Sequence, residues 1–235
     1  MGEMKKHTEL YIYHNLGLGD HIICNSIVRH YAKLYDKIYL FVKNHNYISV
    51  KFMYQDLDNI VFIVGQVYSD GIDTFVLPYI EKYQDKILRI GYKDIGLSFD
   101  EYFYYSNGIS FEKRWSDFYV DRNPYSEMEI FNKFNVHEDY IFLHEDVNRN
   151  YIIDRNYIIN KDLRIISPIE GLTDNIFDYC YLLENAKEVH CIDSSFRLLA
   201  DSINLKTLDL FYHINRNQDD KLYSSSLKNW KKILY

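Results

Sequence analysis

The sequence predicts an α/β protein made of two Rossmann-like, doubly wound domains facing each other over a cleft. Three observations predict it. Apolar runs of strand length alternate with helical spacings in the first half, the alternation restarts near residue 136, and an aromatic-rich helical stretch separates the two series. The domains are therefore drawn at residues 1–135, with the helical connector, and 136–235.

In the first half, residues 9–14 read as a strand because Leu10 and Ile12 alternate with their neighbours. A helix is expected from Asp20 to about Tyr35, with Ile23, Ile27 and Tyr31 on one face. Residues 37–42 and 60–64 follow as strands, the second continuously apolar, as in a parallel sheet covered on both faces. Residues 75–77 and 87–90 are weaker strand candidates, and residues 100–134 turn helical, with Pro124 at the start of a helix. In the second half, residues 140–143, 164–169, 188–192 and 207–212 read as strands. Ile176, Tyr179, Cys180 and Leu183 mark a helix, residues 194–203 form another, and residues 227–234 are expected as a short terminal helix.

With 235 residues, 47% of them apolar, the chain has material for a sizeable core. A net charge of −7 argues against a broad nucleic-acid surface. Cys24, Cys180 and Cys191 lie in apolar periodic segments without zinc-site spacing, so buried free thiols in a reducing compartment are expected. No run approaches the ~18 apolar residues of a membrane span. The N-terminal residues are polar, without a signal-peptide core, and a cytoplasmic location is expected.

Two motifs carry chemistry. In the first, Asn15-Leu-Gly-Leu-Gly-Asp-His-Ile22 follows a strand, with Gly17 and Gly19 in a turn and Asp20 opening a helix. Backbone N–H groups face outward there, and a polar ligand can approach closely. In the second, Cys191-Ile-Asp-Ser-Ser-Phe-Arg-Leu-Leu-Ala-Asp201 takes an apolar strand through Asp193 into a helix begun by Ser194 and Ser195. Serine there is a helix cap, and the same geometry offers hydroxyls, N–H groups and a positive dipole end to a phosphate. His144 and Arg149 stand in the loop at the carboxyl end of another strand of this half, where Arg149 is placed to clamp a diphosphate.

Together, in this order, the motifs resemble the sugar-nucleotide-dependent glycosyltransferases of the GT-B architecture, nearest to the heptosyltransferase-like group, with part of the pattern shared by fucosyltransferases of similar fold. The resemblance implies transfer of a sugar from a nucleotide-diphosphate sugar to an acceptor hydroxyl, with Asp20 as general base and the donor diphosphate on the helix opened by Ser194 and Ser195, just after Asp193. Leu198 stands where the family often has histidine, Ser195 where glycine is usual, and Arg149 alone where the fucosyltransferase loop carries adjacent arginines.

Such a transfer needs a base for the acceptor proton and positive groups for the leaving diphosphate. Helix N–H groups and an arginine supply the latter, so neither a metal nor any cofactor beyond the co-substrate is expected, and direct displacement inverts the sugar. The plain reading of Asp20 is a helix cap.

Asp56-Leu-Asp58 has the form of a metal-binding pair but precedes a strand and reads as a solvated turn. Residues 144–146 read as a polar loop rather than a metal site, and Lys113, Arg114 and Arg122 as cations snorkelling over a packed face. Thr173 or Asp174 reads as a helix cap near the donor base, and Arg216 as a phosphate contact after the last strand. A nicotinamide-dependent oxidoreductase is disfavoured, since Ile22 replaces the third glycine and no acid ends the second strand. A sugar-nucleotide epimerase and a non-catalytic nucleotide-sugar-binding protein remain as alternatives.

Overall fold

The computed structural model describes residues 7–66, 74–214 and 224–234. The chain forms two compact units, residues 1–121 and 122–235. A helix assigned from sequence to the connector of the first half, residues 124–133, therefore lies in the second unit.

The first unit holds a four-stranded parallel sheet. Its strands are β1 (His7–Tyr13), β2 (Tyr35–Lys43), β3 (Ile60–Gly65) and β4 (Ile87–Arg89), in the order β3-β2-β1-β4. Leu10, Ile12, Ile38 and Leu40 are buried on one face. On the other, Tyr11, Phe41 and Ile63 pack with Val76, Tyr79, Ile80 and Tyr83. Burial on both faces follows from parallel crossovers, which place helices on either side.

The predicted first helix is two helices, α1 (Leu18–Ile23) and α2 (Asn25–Ala32), broken at Cys24. It starts two residues before Asp20, so Gly19 lies inside α1 rather than in a turn. It ends before Tyr35, which opens β2. A further helix, α3 (Tyr47–Met53), joins β2 to β3. The strand expected at residues 75–77 is instead a 3-10 turn, Thr74–Val76, leading into α4 (Leu77–Lys82). Pro78 explains the difference: it lacks an N–H for a sheet ladder and suits the first turn of a helix. The helical stretch becomes α5 (Phe99–Tyr105), α6 (Lys113–Ser116) and α7 (Pro124–Lys133).

The second unit holds a five-stranded parallel sheet. Its strands are β5 (Tyr140–His144), β6 (Arg164–Ile166), β7 (Glu188–Ile192), β8 (Leu210–Ile214) and β9 (Lys231–Leu234), in the order β6-β5-β7-β8-β9. Helices α8 (Cys180–Glu184) and α9 (Ser195–Ser202) connect β6 to β7 and β7 to β8. Ile141, Leu143 and Ile192 pack with Ile153 and Ile158 on one face. Phe142 meets Phe196 of α9 on the other.

The terminal helix expected over residues 227–234 is absent; β9 pairs in parallel with β8, Phe211 beside Lys231. Asp201 of α9 diverts the chain by accepting the backbone N–H groups of Leu227 and Lys228 and the Trp230 indole N–H, at 2.9, 3.1 and 3.1 Å. All three cysteines are buried and free, as expected.

Candidate active site

In an open α/β sheet, ligands gather at the carboxyl ends of the strands where the strand order reverses. The first sheet reverses between β1 and β4, the second between β5 and β7. Each informative motif follows a strand that borders a reversal.

In the first unit, the turn after β1 places Leu16 at φ 59°, a left-handed backbone for a fully buried leucine. Gly17 precedes α1, and the Asp20 carboxylate turns back to accept its N–H at 3.2 Å. The N-cap is therefore Gly17 and not Asp20, as the plain reading had it; half-buried Asp20 stands in the first turn of α1 and reaches back to the cap's N–H. Beside it lie two histidines that the sequence reading did not single out. His14 and His21 are buried and meet edge to face, with centroids 4.3 Å apart. His14 Nδ1 accepts the Leu16 N–H at 3.2 Å, while His14 Nε2 and both ring nitrogens of His21 have no hydrogen-bond partner. Burial, with Lys43 nearby, lowers His14 to about 3 and keeps both rings neutral.

In the second unit, His144 ends β5 beside Cys191 of β7. Its ring packs 4.6 Å from that of Phe196 in the first turn of α9. Burial lowers His144 to about 4, so it too is neutral. Ser194 precedes α9 in an extended conformation, but its hydroxyl makes no capping bond, contrary to expectation. Ser194 Oγ and His144 Nδ1 are both buried without a hydrogen-bond partner. The fold brings His144, Asp193, Ser194 and Ser195 to one reversal, where unpaired polar atoms and the helix N–H groups are gathered.

Arg149 is directed elsewhere. It is exposed, donates to Asp146 at 2.6 Å and lies over Tyr151. The loop folds on itself through the Asp146–Tyr151 bridge, which turns the guanidinium to the loop's own carboxylate. Glu145 is held by Arg155, at 2.7 and 2.8 Å. Arg216 lies outside the described residues.

The remaining sequence candidates are structural. Asp56 lies in the exposed turn that the sequence predicts, where Arg29 also binds both its oxygens at 2.8 Å, which lowers its pKa. Arg114 is fully buried and paired with Asp100, and Arg122 is held by Glu127 and Glu184. Arg114 does not snorkel, because buried Asp100 holds it; Arg122, only partly buried, is turned to Glu127 and Glu184. Asn175, rather than Thr173 or Asp174, caps the turn Ile176–Tyr179. Asp178 accepts from Thr173 Oγ1 at 2.6 Å.

A buried polar ladder also crosses the second sheet. Glu188 Oε2 is 3.1 Å from His190 Nε2, and His190 Nδ1 is 2.9 Å from His213 Nε2. A carboxylate only accepts, which gives His190 its Nε2 proton and makes His213 the donor to its Nδ1. Burial keeps His213 neutral, at about 4.

Among the described residues no group of three or more His, Cys, Asp or Glu is placed to hold a metal ion, and no helix is long and apolar enough to cross a membrane.

Fold and site define an α/β protein with two parallel sheets, each carrying a polar motif at its topological switch point. No family model and no curated protein sequence matches the chain. Its fold is similar to that of a solved glycosyl transferase family 9 protein from Veillonella parvula, with a TM-score of 0.59 over 99% of this chain and 88% of that one, at 7% sequence identity.

Proposed function

We propose that the chain is a glycosyltransferase of the two-domain GT-B kind, moving a sugar from a nucleoside-diphosphate sugar to an acceptor hydroxyl. The observation that carries this reading is the mouth of α9: a helix N-terminus at a switch point, flanked by the unpartnered Ser194 Oγ and His144 Nδ1. Fixed N–H dipoles and hydroxyls at such a mouth stabilise negative charge as it grows on a departing diphosphate. The similar fold of the family 9 transferase supports it.

The reading assigns the donor to the second unit, through His144, Asp193, Ser194 and Ser195, and the acceptor to the first. Asp20 is the base. Its carboxylate takes the acceptor proton as the hydroxyl oxygen attacks the anomeric carbon. The bond to the diphosphate oxygen breaks, and configuration inverts. The fixed dipoles at α9 let this proceed without a metal. Neutral His144 serves as a hydrogen-bond partner to the donor and brings no charge of its own.

A thermal-shift screen with GDP, UDP, ADP, CMP and dTDP tests the reading. A bound ligand at about 100 times its Kd adds about 2.7 kcal/mol to stability. A preference for one nucleotide that is lost in Ser194→Ala supports the donor site. Asp20→Asn should keep that shift and lose turnover. Silence toward all five nucleotides would sink the proposal.

A further inference from the structure

Helix α9 buries an arginine among apolar residues. Arg197 stands between Phe196 and Leu198 and is 0% exposed. Its Nη1 donates to Ser226 Oγ at 2.9 Å, and its Nη2 donates to the Ser224 carbonyl at 3.4 Å and to the Ser224 hydroxyl. The carboxylate of Asp193 is reached from Nη2 only at 3.4 Å, long for a charged pair. The Tyr212 ring lies 4.5 Å away, and Nε is buried without an acceptor. A guanidinium stays ionised in proteins. A positive charge is therefore held within the first turn of α9, against mostly neutral groups.

The same helix grips the same segment a second time. Asp201, four residues on, takes the N–H groups of Leu227, Lys228 and the Trp230 indole. Residues four apart share a helix face. One face of α9 thus holds residues 224–230 through a buried cation at one end and a buried carboxylate at the other.

We propose that Arg197 is a positioning residue for the phosphate-binding mouth: strapped by Ser224 and Ser226 and only loosely engaged by Asp193, it adds its charge to the positive potential that a diphosphate meets at Ser194 and Ser195. This rests on the transferase reading. Arg197 acts through a buried charge that adds to the dipole at the start of the helix. It follows that exposed Ser226 is coupled to diphosphate affinity.

The test is calorimetric titration of the full chain with GDP, UDP, ADP, CMP, dTDP and inorganic pyrophosphate, for wild type, Arg197→Gln, Arg197→Lys and Ser226→Ala, with thermal unfolding of each unliganded protein. Arg197→Gln should weaken the preferred diphosphate about tenfold or more, and Arg197→Lys should recover part of that by keeping the charge without the fork. Ser226→Ala should weaken it about threefold while its unliganded unfolding temperature stays within about 2 °C of wild type. In turnover the loss should appear in the donor KM rather than in kcat. If Arg197→Gln does not fold, the other two variants decide. Wild-type affinity in both, whatever their stability, overturns the role of Arg197 and leaves the transferase reading standing. A wild type that binds none of the six probes overturns both.

Discussion

At the scale of single residues, Gly17 and Asp20 are a matched pair. A Cβ on Gly17 would lie 2.7 Å from Asp20 Oδ2, so glycine here makes room for a carboxylate rather than for an unusual backbone. Gly17→Ala should displace that carboxylate and lower turnover about tenfold or more, with nucleotide affinity unchanged, in a steady-state assay paired with a binding titration. Unaltered turnover would remove Asp20 from the chemistry. The glycine and the acid were visible in the sequence as a turn and a helix start; that the one makes room for the other was not. Arg197 was not legible, although an arginine between Phe196 and Leu198, four residues after Asp193, was the available signal. Spacing cannot tell a buried cation from one that reaches solvent; that depended on where Ser224 and Ser226 arrive.

At the scale of elements, the break between α1 and α2 is pinned from outside. Tyr104 of α5 donates its hydroxyl hydrogen to the Ile23 carbonyl at 2.7 Å and lies 2.7 Å from Ser26 Oγ. Tyr104→Phe should cost about 1–3 kcal/mol by urea unfolding, because it leaves buried partners unpaired. A value near zero would mean that the kink is set by α1 and α2 alone. Arg29 does similar work on α2: it holds Asp56, the Met53 carbonyl and the Tyr119 carbonyl. The Arg29 bond holds the Asp56 pKa below its ordinary 3.8, so this part of the stability is present above that pH and fades as pH falls below it. The misread ends, α4 and β9, were decided by one proline and one distant aspartate. The proline was visible in the sequence. The reach of Asp201 to residues 227–230 was not.

At the scale of the whole molecule, buried histidines make stability fall in mild acid. His14 and His213 are lowered from 6.5 to about 3 and about 4, and His21 well below 6.5, each chiefly by burial. Below pH 6.5 the unfolded chain takes up protons that the folded chain refuses, so stability falls as pH falls. Between pH 7.5 and 5.5 the loss should be about 1 kcal/mol for each such ring, read from urea midpoints at the two pH values. Equal midpoints would show that these rings are protonated in the folded state.

The sequence by itself determined the α/β class, the two strand–helix series and the two polar motifs. Those depend on local periodicity and on what glycine, serine and aspartate do at helix starts. Only the tertiary structure decided that each motif adjoins a reversal of strand order, that Arg149 turns to its own loop, and that a buried arginine stands behind Ser194. Each of these depends on which distant segment comes to lie alongside, and local spacing along a chain carries no record of that.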